Sequence, residues 1–149
     1  MFVSRLYCYF SFIIITFLWS DFSVAQKKTD AFEVAVTTIK KNIKCCSVAF
    51  PGNKSNKATT VMIFRTGEMT IVYSNNRPPV SFNLFELYKD VEAPKGIYYK
   101  PGTKTIVFNI GEFNKQAIRL NTNSIALETY HQFLSIIQLG KETNARVSK

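Results

Sequence analysis

His131 is the only histidine in the chain, and Glu128 stands three residues before it. On a helix that spacing puts imidazole and carboxylate on neighbouring positions, the start of a general base with an orienting acid. A single imidazole excludes any metal site built from two histidines. No Gly-x-Ser-x-Gly or cysteine-histidine signature supplies a nucleophile beside it. The simpler expectation is a histidine on a helix flank, at the edge of an apolar stripe that includes Leu127 and Leu134.

Cys45 and Cys46 are adjacent, and the third cysteine, Cys8, lies in an N-terminal apolar run. Small secreted domains stapled by bridges carry several spaced cysteines, so this is no disulfide framework. Neighbours can only close a small strained ring or pair with another chain. The functional readings are a redox-active vicinal pair or an intermolecular disulfide that assembles a structural subunit. The bland one is a helix-to-strand junction that sends the two side chains to opposite faces and buries one as an inert thiol. Asn42-Ile43-Lys44 before Cys45 and Leu6-Tyr7 before Cys8 lack the small residues that precede a lipidated cysteine.

Asp90 and Glu92, just before Pro94, are the closest acidic pair. Neighbours in one turn do not flank a sugar from opposite sides as glycoside hydrolysis requires, and no Asp-x-Asp-x-Asp-Gly loop offers calcium a cage. Gly67, Gly96, Gly102 and Gly111 stand singly rather than in a phosphate loop. No cofactor or metal is expected.

One constellation combines rings and cations. Tyr98, Tyr99, Lys100 and Lys104, with Lys95 nearby, fall around Lys100-Pro101-Gly102-Thr103, a turn sequence between two β-rich runs. On a hairpin tip they would offer aromatic faces and ammonium groups to another protein, a lipid headgroup or an acidic glycan. Strand alternation gives the competing outcome, with one tyrosine in the core and the other covering the sheet.

These residues must be positioned by one domain. Arg5, the apolar run Leu6 to Trp19 and the triplet Ser23-Val24-Ala25 have the build of a signal peptide cleaved after Ala25. The run is shorter than the roughly 20 residues of a bilayer-spanning helix, although an uncleaved N-terminal anchor is the alternative. Residues 1–25 are thus read as a leader, 26–140 as a single domain and 141–149 as a disordered tail. A leader ending before Gln26 with a lysine-rich start is similar to those of proteins exported by Gram-negative bacteria, with eukaryotic secretion as the alternative, so a periplasmic or extracellular location is expected. The chain carries a formal charge of +9, which loss of Arg5 and Asp21 together leaves unchanged. Such an excess draws a small protein toward anionic surfaces, but the lysines are scattered, and a solvated surface explains them too.

Asp30 and Glu33 form a capping-box pattern before Phe32, Ala35, Val36, Ile39 and Ile43, predicting a helix over 31–44 with Lys40, Lys41 and Lys44 at its carbonyl end. Strands are predicted over 47–50, 58–65 and 68–74, the last two as a hairpin about Thr66-Gly67. Another begins at Val80 and breaks into a turn near Asn83; 97–99 and 105–110 form the second hairpin, and 116–121 a last strand. Asn123 or Ser124 caps a final helix whose stripe is Ala126, Tyr130, Phe133, Leu134 and Ile137, with Gly140 as its stop. The sum is α+β: an N-terminal amphipathic helix, a curved antiparallel sheet of about six strands, and a C-terminal helix packed on it.

This order of strands closed by a C-terminal helix, over Ser47 to Leu139, resembles the pleckstrin-homology-like roll. NTF2-like and cystatin-like cones place helix before sheet and leave the 124–139 helix unaccounted for. Sparse catalytic residue types and plentiful aromatics favour an exported, non-enzymatic binding module; an enzyme using His131 with a carboxylate, or a subunit assembling through Cys45 or Cys46, are the alternatives.

Overall fold

The computed structural model describes residues 31–51, 57–74, 77–89 and 94–147. The expected leader, Asp30, Asp90 and Glu92 lie outside the described residues. Helix α1 covers residues 31–46 and turns Phe32, Ala35, Val36, Ile39 and Ile43 into the core, as their 3.6-residue spacing dictates. Glu33 Oε1 accepts from Arg65 Nη2 at 2.7 Å, and that guanidinium lies over the Phe32 ring; its expected capping partner, Asp30, lies outside the described residues.

Among the described residues seven strands follow: β1 (Ala58–Ile63), β2 (Glu68–Tyr73), β3 (Val80–Asn83), β4 (Tyr88–Lys89), β5 (Gly96–Lys100), β6 (Thr105–Asn109) and β7 (Lys115–Arg119). They make two sheets, β1-β2-β3 and β4-β5-β6-β7, with all neighbours antiparallel except the short β4, which runs parallel to β5. The expected strand over 47–50 is present as isolated bridges at Ser47, which pairs with Leu120, and at Phe50, with Val48 N donating to Arg119 O and Arg119 Nη1 to Ala49 O, laid along the edge of β7.

The β1-β2 hairpin turns at Gly67, whose φ of +86° suits a residue without Cβ. In the β5-β6 connection the positive φ falls not on Gly102 but on Lys104, at 55°, because Pro101–Thr103 form a single 3-10 turn that Lys104 closes. Between β3 and β4, Leu84–Glu86 also wind as a 3-10 turn, with Asn83 Oδ1 accepting from Phe85 N.

Helix α2 runs over Asn123–Val147. Its N-cap is Thr122, whose Oγ1 accepts from Ile125 N, one residue ahead of the expected Asn123 or Ser124. Nor does it stop at Gly140: the tail expected to be disordered is helical as far as Val147. Gly140 is there for packing, since a Cβ on it would overlap the Phe85 ring. The helix accepts a propensity penalty of about 1 kcal/mol to admit that ring.

Both helices cover the inner faces of the sheets. Phe108 of β6 meets Phe82 of β3 at 5.4 Å and Phe133 of α2 edge-on at 5.2 Å, joining the two sheets and the C-terminal helix in one core. Helix α1 is tied to α2 by Asn42 Nδ2, buried, which donates to Thr129 Oγ1 and Glu128 Oε2.

Candidate functional site

Strand β6 has a hairpin turn at each end, and chemistry is unevenly divided between them. At the β5-β6 end stands the predicted constellation. Tyr98 is 8% exposed, and Tyr99, half-buried on the opposite face, stacks on Tyr130 of α2 and donates its hydroxyl to Asn123 Oδ1 at 3.0 Å. Its phenol is pushed above the usual tyrosine value by burial. Lys100 Nζ lies over the Tyr98 ring at 5.3 Å and Lys104 Nζ donates to Asn121 O, while Lys95, before the far end of β5, is paired with Glu86 at 2.6 Å. The hydrogen bond to Glu86 raises the Lys95 ammonium's pKa. Of these residues, Tyr99 and Lys104 hold the turn onto the start of α2.

The β6-β7 end is the reverse. Asn109 pairs with Lys115, and the turn between them is closed by Ile110 N to Asn114 O at 2.9 Å. Gln116, buried, pins it from below: its Nε2 donates to Asn114 Oδ1 at 2.8 Å, while its Oε1 accepts from Tyr73 OH and Arg77 Nη2. Arg77 also covers the Tyr73 ring. Burial raises the Tyr73 phenol, outweighing the opposing pull of Arg77 and of a backbone hydrogen bond at Ala117. On this braced turn Phe113 is 94% exposed, with Glu112 and Lys115 beside it in sequence. Single surface apolar groups are ordinary, and Val34, Met62, Phe64, Tyr88 and Leu127 are partly exposed, between 41% and 63%. Phe113 stands apart because almost none of its ring is covered. It carried no sequence signal beyond a phenylalanine set among turn residues.

His131 is exposed on α2 and lines an open groove of about 520 Å³ with Lys89, Ser135, Lys141 and Glu142. Glu128, its expected partner, is engaged by Asn42 of α1 and does not line that groove. The carboxylate that does is Glu142, 11 residues or three helical turns on, a spacing legible in sequence only once the helix is known to pass Gly140. The groove is partly committed to structure: Lys141 Nζ donates to Leu87 O and covers Tyr88, and Glu142 accepts from Gln138.

Cys45 and Cys46 are joined to each other by a disulfide in the last turn of α1. They do not point to opposite faces of a strand, and neither sulfur remains for a second chain. Among the described residues no group of three or more His, Cys, Asp or Glu side chains could hold a metal, and no helix is long and apolar enough to cross a membrane. No family profile, curated protein or solved structure matches the chain.

Proposed function

We propose that this chain is an exported, non-enzymatic binding module that meets an anionic lipid surface with the β6-β7 turn. The observation that carries this reading is Phe113, 94% exposed on a turn braced by a buried glutamine. A ring held away from its own protein by a preorganised turn loses little conformational freedom on burial elsewhere. Lys115 beside it, Arg77 within the bracing network and a net charge of +9 favour an acidic target.

The magnitudes describe a reversible contact. Burying the ring contributes about 2 kcal/mol, and each cation near an anionic bilayer about 1 kcal/mol. Together they reach roughly 4 kcal/mol, a dissociation constant of about a millimolar. Binding is accordingly peripheral and sensitive to salt.

The only tryptophan is Trp19, inside the expected leader, so a Phe113→Trp variant starting at Gln26 carries a single reporter at the tip. Its emission should shift to the blue with phosphatidylglycerol-containing vesicles, less with pure phosphatidylcholine, and revert as salt is added. Unchanged emission with both vesicles would overturn the proposal and turn the search toward a protein or glycan.

A further inference from the structure

The geometry points to a thiol-disulfide exchange site at Cys45, whose opening releases the segment that covers the edge of β7. Cys45 is exposed, whereas Cys46 is half-buried against the core. An incoming thiolate therefore reaches the Cys45 sulfur first. Lys41 and Lys44, one turn and one residue before it and both exposed, supply positive charge that favours such an approach.

Exchange with an external dithiol balances as follows. One thiolate of the dithiol attacks Cys45 Sγ; the new bond forms as the Cys45-Cys46 bond breaks, and the electron pair leaves on Cys46 Sγ, which takes a proton. The second thiolate then attacks its own partner's sulfur and releases Cys45 Sγ, which is protonated in turn. The protein gains two electrons and two protons, and the dithiol becomes a disulfide.

The site is arranged to accept the reduced form. Cys45 Sγ lies 3.5 Å from Asn42 O. A disulfide sulfur has no proton to donate across that gap, but a thiol does. Immediately after the pair, Cys46 O accepts from Asn121 N at 3.0 Å, Ser47 bridges Leu120, and Val48 N donates to Arg119 O at 2.9 Å. Ser47 Oγ is buried there without a hydrogen-bond partner among the described residues. An orphaned hydroxyl makes this the costly stretch of the junction, one that gains a partner when it moves into water. The ring thus sits at the hinge between α1 and the strip guarding an exposed strand edge.

The test, on the chain starting at Gln26 so that Cys8 is absent, is native treatment with dithiothreitol, followed by alkylation and mass measurement, with amide exchange read at Val48 and Asn121. Two alkylated thiols are expected, with about a tenfold loss of protection at both amides, retained protection at Ile106 and Phe108, and recovery on reoxidation. A Cys45→Ser/Cys46→Ser double variant should show the same loss without reductant; if it does not fold, the reduced and reoxidised parent decides alone. The inference is overturned by a bond that resists native dithiothreitol, by thiols that alkylate without reductant, or by unchanged protection after reduction.

Discussion

The two turns that β6 joins have opposite fates. At one, Tyr98, Tyr99, Lys100 and Lys104 are spent on the protein's own sheet and helix start. At the other, a buried glutamine and an arginine brace a loop whose single aromatic ring contacts almost nothing. The same residue types thus differ between the tips in how far the fold already engages them: Tyr99 and Lys104 have partners of their own, and the Phe113 ring is almost entirely uncovered.

The largest effect that would blur this contrast is at Gln116. Replacing it with alanine removes at once its bonds to Tyr73 OH, Arg77 and Asn114, so a loss of about 3 kcal/mol in urea unfolding is expected, with weaker vesicle binding because the tip is no longer braced. Tyr99→Ala removes the Tyr130 stack and the Asn123 bond; it should cost about 2 kcal/mol of stability and leave vesicle binding as it was. Phe113→Ala should do the opposite, changing stability by less than about 0.5 kcal/mol while weakening vesicle binding roughly thirtyfold. If Tyr99→Ala and Phe113→Ala shift binding equally, the division between the tips fails.

Both tips contain a phenol held neutral. Tyr73 and Tyr99 are each raised above the ordinary value of 10.0, chiefly by burial. The unfolded chain therefore loses these protons first, so their stabilising contribution is intact below pH 10 and fades as pH rises through the native values. Phenolate absorbance followed beside unfolding midpoints should show the two changing together. The smallest effect is expected at Lys104→Gly, where relief of the positive φ offsets loss of the bond to Asn121 O and unfolding moves by no more than about 0.5 kcal/mol.

Much of the framework was legible because it is local. The apolar spacing from Phe32 to Ile43 marked α1, Thr66-Gly67 marked the first hairpin, and the stripe through Phe133 marked the final helix. Such signals express backbone preference and face periodicity, which neighbouring residues set among themselves. Gly140 misled because its intrinsic propensity reads as a stop, while the Phe85 ring, distant in sequence, needs the space. The Glu128-His131 spacing was correct, yet α1 takes the carboxylate through Asn42.

The sequence by itself determined the α+β class, most of the helix and strand positions and the charge excess. Only the tertiary structure decided that Tyr99 and Lys104 are consumed, that Phe113 is bare, and that Cys46 abuts the β7 edge. Those outcomes depend on which groups satisfy one another across long separations, and burial and hydrogen-bond satisfaction are properties of the assembled fold.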